Sequence, residues 1–234
     1  MISKCYRKHK KKYRGKWPII TFITLLLLVS ASVAWWFNLF PGRYYDAEHF
    51  GIETLMSPND ANNNRVDDFT DIVFGARLEA KAQPKYDGAY WNGGYPPDDI
   101  GVCADTIWRA FKYAGYNLKS LVDEDIAANF ELYPGLNASG IDPNIDFRRV
   151  RNLNIFFSRH AQSLTLDISD IAQWMPGDIV VFSSGDHIAI CSDRRNTKGI
   201  PWLIHNGGQP QREEDALEKL LLYKTLIGHY RWVD

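Results

Sequence analysis

Gly101-Val102-Cys103-Ala104-Asp105, at the head of a helical pattern, and Pro176-Gly177-Asp178-Ile179-Val180, running on into Asp186-His187-Ile188-Ala189-Ile190, decide how this 234-residue chain is read. The first stretch puts a cysteine at a helix start and the second a histidine at a strand start. Such a pair is the usual presentation of a thiol nucleophile and its general base. A free thiol, with a pKa of about 8.5, is mostly protonated at neutral pH, and a helix N-terminus beside an imidazolium lowers that value. The first-turn N–H of Cys103 is also placed to donate to an oxyanion. His205, at the end of the apolar run Trp202 to His205, reaches the His187 imidazole if the two strands lie side by side, with Asn206 as the fallback orienting residue.

Outward from these stretches the pattern is helices first and strands late. Asp67 to Lys81 carries Phe69, Ile72, Val73 and Ala76 on one stripe, and Val102 to Ala114 carries Ile107, Ala110, Phe111 and Ala114 before Gly115. A short helix is expected near Ser120 to Phe130 and another over Val150 to His160, within a long connection from 116 to 170. Asp178 to Phe182, His187 to Ser192 and Trp202 to His205 are short apolar runs between Gly, Asp and Asn clusters, and read as an antiparallel meander. Ile227 to Trp232 is a plausible last strand. The layout is α+β, with the helix bearing Cys103 packed on a small antiparallel sheet.

The first sixteen residues hold eight basic side chains and no acid, and Trp17 to Phe40 runs without a charge. That length exceeds the roughly 20 residues needed to cross a bilayer, and Trp35-Trp36-Phe37 closes it as an aromatic belt. The expected organisation is a basic cytoplasmic arm (1–16), a transmembrane anchor (17–40), a linker (41–64) and one extracytoplasmic domain (65–234) in a single-pass cell-membrane protein. A cleaved signal peptide ending at Ser32-Val33-Ala34 is the competing reading, but the apolar run continues past that site. Beyond the span, 19 basic residues face 28 acidic ones, which argues against a nucleic-acid partner. Three cysteines, one of them Cys5 in the arm, do not make a disulfide scaffold, and a Cys103 to Cys191 bridge is the less favoured reading.

Tyr90, Gly93 and Gly94 followed by Cys103, then Pro176 to Val180, His187 and His205, resemble the papain-like cysteine peptidases of the NlpC type, which cut peptide bonds in bacterial cell-wall stems. The resemblance implies a papain-like fold with Cys103 as nucleophile, His187 as base, His205 as orienting residue and Tyr90 at the oxyanion or substrate carbonyl. More closely, Arg65 to Arg231 resembles bacterial domain-of-unknown-function family 1287, placed in the same clan. The matching stretches include Gly93 to Pro97, Trp108 to Phe111, Asn144 to Asp146, Arg148 to Val150, Ile204 to Asn206 and Gly228 to Arg231. Val102 and Ala104 stand where the NlpC pattern has Asp and Ser, and an insertion separates Cys103 from His187. In that insertion Asp146, Arg148 and Arg149 are candidates for binding a substrate carboxylate, or a solvated ion-pair cluster bracing the loop.

Asp60, Asn62, Asn64, Asp68 and Asp71 fall at positions 1, 3, 5, 9 and 12 of a loop leading into a helix, the spacing of a calcium loop, with Arg65 where such loops have Gly. An Asx-rich turn capping the helix accounts for the same residues. Cys103, His187, Cys191 and His205 have zinc-ligand types but no close pair, so zinc is disfavoured. The expectation is a membrane-anchored thiol hydrolase, an amidase or peptidase acting on cell-wall peptide. It requires no cofactor for catalysis and carries a candidate structural calcium. The alternatives are an acyl or amide transferase and a non-catalytic calcium-dependent envelope module.

Overall fold

The computed structural model describes residues 16–36, 39, 42–134, 136, 140–183 and 186–233, and the chain divides into two compact units, Met1–Phe37 and Asn38–Asp234. In the first unit one helix, α1 (Trp17–Trp36), is long and apolar enough to cross a membrane. Three of its four hydroxyls bond back within the helix: Thr21 donates to the carbonyl of Trp17 at 3.0 Å, Thr24 to Ile20 at 2.9 Å and Ser32 to Leu28 at 2.9 Å. Such back-bonding lets hydroxyls sit in an apolar span without water. The basic arm, apart from Lys16, lies outside the described residues, as do positions 37, 38 and 40 of the expected anchor.

The second unit is mixed α+β. Its helices are α2 (Asp68–Ala82), α3 (Cys103–Tyr113), α4 (Leu118–Ala128), α5 (Val150–His160) and the single turn α6 (Leu217–Leu220). Two short strands, β1 (Lys85–Tyr86) and β2 (Ile100–Gly101), pair in parallel just before α3. The main sheet is antiparallel and has six strands: β3 (Gln162–Ser163), β4 (Ile179–Phe182), β5 (His187–Arg195), β6 (Pro201–Ile204), β7 (Glu213–Glu214) and β8 (Leu226–Arg231). Their spatial order is β3-β8-β4-β5-β6-β7. The expected meander is therefore present as β4-β5-β6, and the last strand returns to cover its β4 edge.

Core packing explains the arrangement. β4 is buried on both faces: Ile179 and Val181 join Ile188, Ile190 and Ile204 under α3, while Val180 and Phe182 join Ala189, Cys191 and Leu203 under Trp174 and α6. α2 lies directly on α3 because Gly75 has no side chain; a Cβ there would stand 2.6 Å from the Cβ of Tyr113. Gly94 has a positive φ of 86° and admits Phe147, whose ring a Cβ would approach to 2.6 Å. Residues 42–57, read from the sequence as a linker, are docked. Tyr45 and Arg195 exchange backbone hydrogen bonds of 2.9 and 2.8 Å, Tyr44 packs edge-on against Trp202, and Asp67 accepts from the Ser57 N–H. No period marks this segment because its aromatic residues bind one at a time.

The start of α3 is held by a buried carboxylate. Asp105 accepts from the Val102 N–H at 2.7 Å, from Trp108 Nε1 at 2.8 Å, and from Arg148 Nε and Nη2 at 2.7 and 2.9 Å. Both side chains of the ion pair are essentially inaccessible, 0% and 1% exposed. Arg148 also donates to the Ala89 carbonyl at 3.0 Å, so it joins three segments. Removing one partner of such a pair leaves an uncompensated buried charge, a loss of about 3–5 kcal/mol. Arg148→Ala is therefore expected to lower the unfolding free energy by about that amount in urea titration, with Arg148→Lys recovering less than half, since an ammonium cannot reproduce the fork. A change below about 1 kcal/mol in Arg148→Ala would show that the pair is not what fixes this helix end.

Candidate functional site

Cys103 is the first residue of α3, preceded by Val102 in extended conformation. Asn206 reaches across from the end of β6 and donates from Nδ2 to the Gly101 carbonyl at 2.9 Å, tying the approach to Cys103 onto the sheet. The thiol is buried, and the N–H groups of Ile188 and Ala104 are directed at the sulfur. The Ile188 contact sets the sulfur against the first residues of β5. Burial pushes the Cys103 thiol up to about 11, against the pull of those two N–H groups and with a small further rise from the Asp105 charge. The lowered pKa expected at a helix start is thus not the resting condition. The net effect disfavours the thiolate by about 3 kcal/mol, the pull of the helix-start N–H groups already included.

His187 opens β5, paired across the ladder with Phe182. The pairing Ile190↔Ile204 puts His187 and His205 on the same sheet face as diagonal neighbours. Their rings meet edge to face, with His187 Nε2 2.8 Å from His205 Nδ1. His205 Nε2 stands 3.4 Å from Glu214 Oε1 on β7, and the Gln209 amide nitrogen lies 3.2 Å from both His205 ring nitrogens. Burial lowers the His187 pKa well below its ordinary value, and the nearby His205 and Lys224 charges lower it further. At rest Cys103 is therefore a neutral thiol and His187 a neutral imidazole. Glu214 escapes sequence reading because Glu213-Glu214 looks like an ordinary solvated pair; only the β6–β7 pairing brings it here.

A cleft of about 360 Å³ opens over the cysteine, lined among others by Tyr86, Cys103, Arg149, Arg151 and Asp186. Tyr86, on β1, is close enough that the Cys103 charge helps raise its pKa, after burial as the larger cause. Arg148 and Arg149 both border the cleft, but the Arg148 guanidinium is turned inward to Asp105. Asp146 is buried and accepts from the Asp142 N–H at 2.6 Å, with Arg149 Nε 3.5 Å away. Tyr90 donates to Asp142 Oδ1 at 3.2 Å and accepts from Asn144 Nδ2 at 2.7 Å, so its hydroxyl secures the 142–144 turn. Arg151 and Tyr86 were not singled out from the sequence; Arg151 lies one residue past the Arg148-Arg149-Val150 run, and nothing in its local pattern marks it.

The family model described as "Domain of unknown function (DUF1287)" matches residues 73–232. The chain belongs to the DUF1287 family. The uncharacterized protein YijF of Escherichia coli (strain K12) is 37% identical over 169 residues, covering 69% of this chain and 80% of that protein. No solved structure matches. Within the DUF1287 stretch lie Cys103, His187, His205 and Glu214, while Asp60 to Asp71 precede it.

In this DUF1287 chain the Asp60–Asp71 loop is closed by its own hydrogen bonds. Asp60 accepts from the N–H groups of Asn64 and Arg65 at 3.0 and 2.7 Å, and Asp71 Oδ2 accepts from the amides of Asn62 and Asn64 at 2.6 and 2.9 Å. Asp68 accepts from the Ala61 N–H at 2.9 Å and from the Tyr116 hydroxyl at 2.5 Å. Arg65 has a φ of 73°, the left-handed conformation that glycine supplies in a calcium loop. Among the described residues no three His, Cys, Asp or Glu side chains are grouped as metal ligands, and Cys103 and Cys191 are both free thiols.

A buried neutral histidine has a definite pH signature. Its folded pKa lies below the unfolded value of about 6.5, so the unfolded chain binds the extra proton and the stability present above that pH is lost as pH falls. Each such group contributes a slope of up to about 1.4 kcal/mol per pH unit. The unfolding free energy of wild type is expected to fall more steeply between pH 7 and 5 than that of His187→Gln, by up to that slope. Parallel profiles for the two proteins would mean that His187 is not held neutral.

Proposed function

We propose that this chain is a membrane-anchored cysteine hydrolase of papain-like fold, its catalytic domain extracytoplasmic, cleaving amide bonds of cell-wall peptides. The observation that carries the reading is the convergence at the start of β5: the Ile188 N–H is directed at the Cys103 sulfur, and the preceding residue, His187, has its Nε2 2.8 Å from His205 Nδ1, with Glu214 3.4 Å beyond His205 Nε2. A carboxylate next to His205 Nε2 favours the proton on that nitrogen. His205 Nδ1 is then an acceptor, His187 Nε2–H donates to it, and His187 Nδ1 is left with its lone pair. Nδ1 makes no hydrogen bond among the described residues, which suits a base waiting for a thiol proton.

The chemistry follows from that tautomer. The Cys103 sulfur attacks the substrate carbonyl carbon while its proton passes to His187 Nδ1, and the carbonyl electrons move onto oxygen beside the first-turn N–H groups of α3. The C–N bond then breaks, His187 gives its proton to the departing amine, and a thioester remains on Cys103. Water, deprotonated by His187, releases the acid and restores the thiol. Because the resting pair is neutral, proton transfer accompanies attack instead of preceding it.

The reading is tested on the full-length chain in nonionic detergent by the rate of iodoacetamide alkylation at Cys103, followed by mass spectrometry. The rate is expected to climb with pH across the neutral range, without the plateau of a preformed thiolate–imidazolium pair, and to fall about tenfold or more at pH 7.5 in His187→Ala. Release of peptide fragments from purified cell wall is expected to vanish in Cys103→Ser. A Cys103 alkylation rate indifferent to His187, with cell wall left intact by wild type, would overturn the hydrolase and favour a binding module.

A further inference from the structure

We propose that the cleft over Cys103 accepts an amide bearing a carboxylate next to the scissile bond, and that Arg151, with Arg149 beside it, recognises that carboxylate. The inference rests on the hydrolase reading and adds its substrate class. Three arginines and one carboxylate, Asp186, line the cleft, and their other contacts separate their roles. Arg148 is spent on Asp105 in a buried bidentate pair and contributes no donor outward. Arg149 has Asp146 at 3.5 Å, but that carboxylate already accepts from a backbone N–H. Arg151 has Asp186 at 3.6 Å, and both side chains are more than half exposed.

The comparison of these pairs decides the matter. An exposed ion pair at that separation is worth about 0–1 kcal/mol. A planar guanidinium that closes on a substrate carboxylate gains two charge-assisted hydrogen bonds inside a walled cleft. Exchange of Asp186 for the substrate is therefore favourable, and the displaced aspartate returns to water. A substrate amine placed there meets an arginine instead, so the same geometry rejects cationic neighbours. The volume of about 360 Å³ lies at the lower end of small-ligand sites, enough for the reacting amide and one flanking residue.

The nucleophile itself reports on the cleft charge, without a known substrate. Full-length protein in nonionic detergent is alkylated with two matched pairs of reagents, iodoacetate against iodoacetamide and 3-maleimidopropionate against N-ethylmaleimide, which put a carboxylate at two reaches from the sulfur. The anionic-to-neutral rate ratio at Cys103, divided by the ratio for N-acetylcysteine, is expected to exceed unity by about tenfold in at least one pair and to decline with salt. Arg151→Gln is expected to remove most of that preference, and Arg151→Lys to keep part of it. Arg65→Gln, remote from the cleft, leaves it unchanged, and the neutral reagents react within about twofold of wild type in all three variants. A ratio near unity for both pairs, or one that survives Arg151→Gln, with neutral alkylation still dependent on His187, would overturn the carboxylate site and leave the hydrolase standing. Slow alkylation by every reagent, independent of His187, would overturn both.

Discussion

The Asp105 carboxylate is the constraint on which the rest of the candidate site depends. A buried charge is tolerable only when its lone pairs are filled, and here four donors fill them: the Val102 N–H, Trp108 Nε1 and two nitrogens of Arg148. One of those donors is the residue just before Cys103, and another comes from the long segment between Cys103 and His187. Through Arg148 the same carboxylate reaches the Ala89 carbonyl, in the loop that leads to β2 and α3. That segment therefore helps to set Cys103, and the arginine that looked like a substrate ligand is spent on the fold.

Much of the scaffold was legible because its signals are local. α3 and α5 have apolar stripes at helical spacing, and β4, β5 and β6 are short apolar runs between turn residues, so one pass along the chain finds them within a residue or two at most ends. What stayed hidden is non-local. That β8 lies against β4, and not beyond β6, depends on pairing across more than forty residues, which no period records. The two-residue strands β1, β2, β3 and β7 are too short to carry a pattern at all. Tyr44 and Tyr45 dock by single aromatic and ladder contacts, so their segment reads as a linker although it is part of the domain.

The candidate site divides along the same line. Cys103, His187 and His205 are marked by their places at element ends. Glu214 and Arg151 are ordinary surface charges in sequence and acquire a role only when β7 joins the sheet and α5 faces the cleft. Conversely, Asp146, Arg148 and Arg149 form one polar run in sequence, yet Asp146 and the Arg148 fork are buried while Arg149 stays partly open at the cleft. Charge pattern gives composition along a line, whereas function depends on which side of a wall each charge faces.

The protonation state of the resting site is where the competing effects had to be weighed. The N–H groups at the helix start favour a thiolate, but burial outweighs them, leaving it disfavoured by about 3 kcal/mol net, so the neutral thiol prevails. The imidazole is held neutral for the same reason. In the proposed reaction such a site would store no ion pair, and its charges would arise only as the sulfur–carbon bond forms, imidazolium and oxyanion together, attracting each other in a medium of low dielectric. The thiolate is also the form that oxidants and stray electrophiles attack. On the proposed reading, keeping it scarce until a carbonyl is in place would couple reactivity to occupancy of the cleft. A more exposed cysteine would be easier to ionise but would lose that coupling.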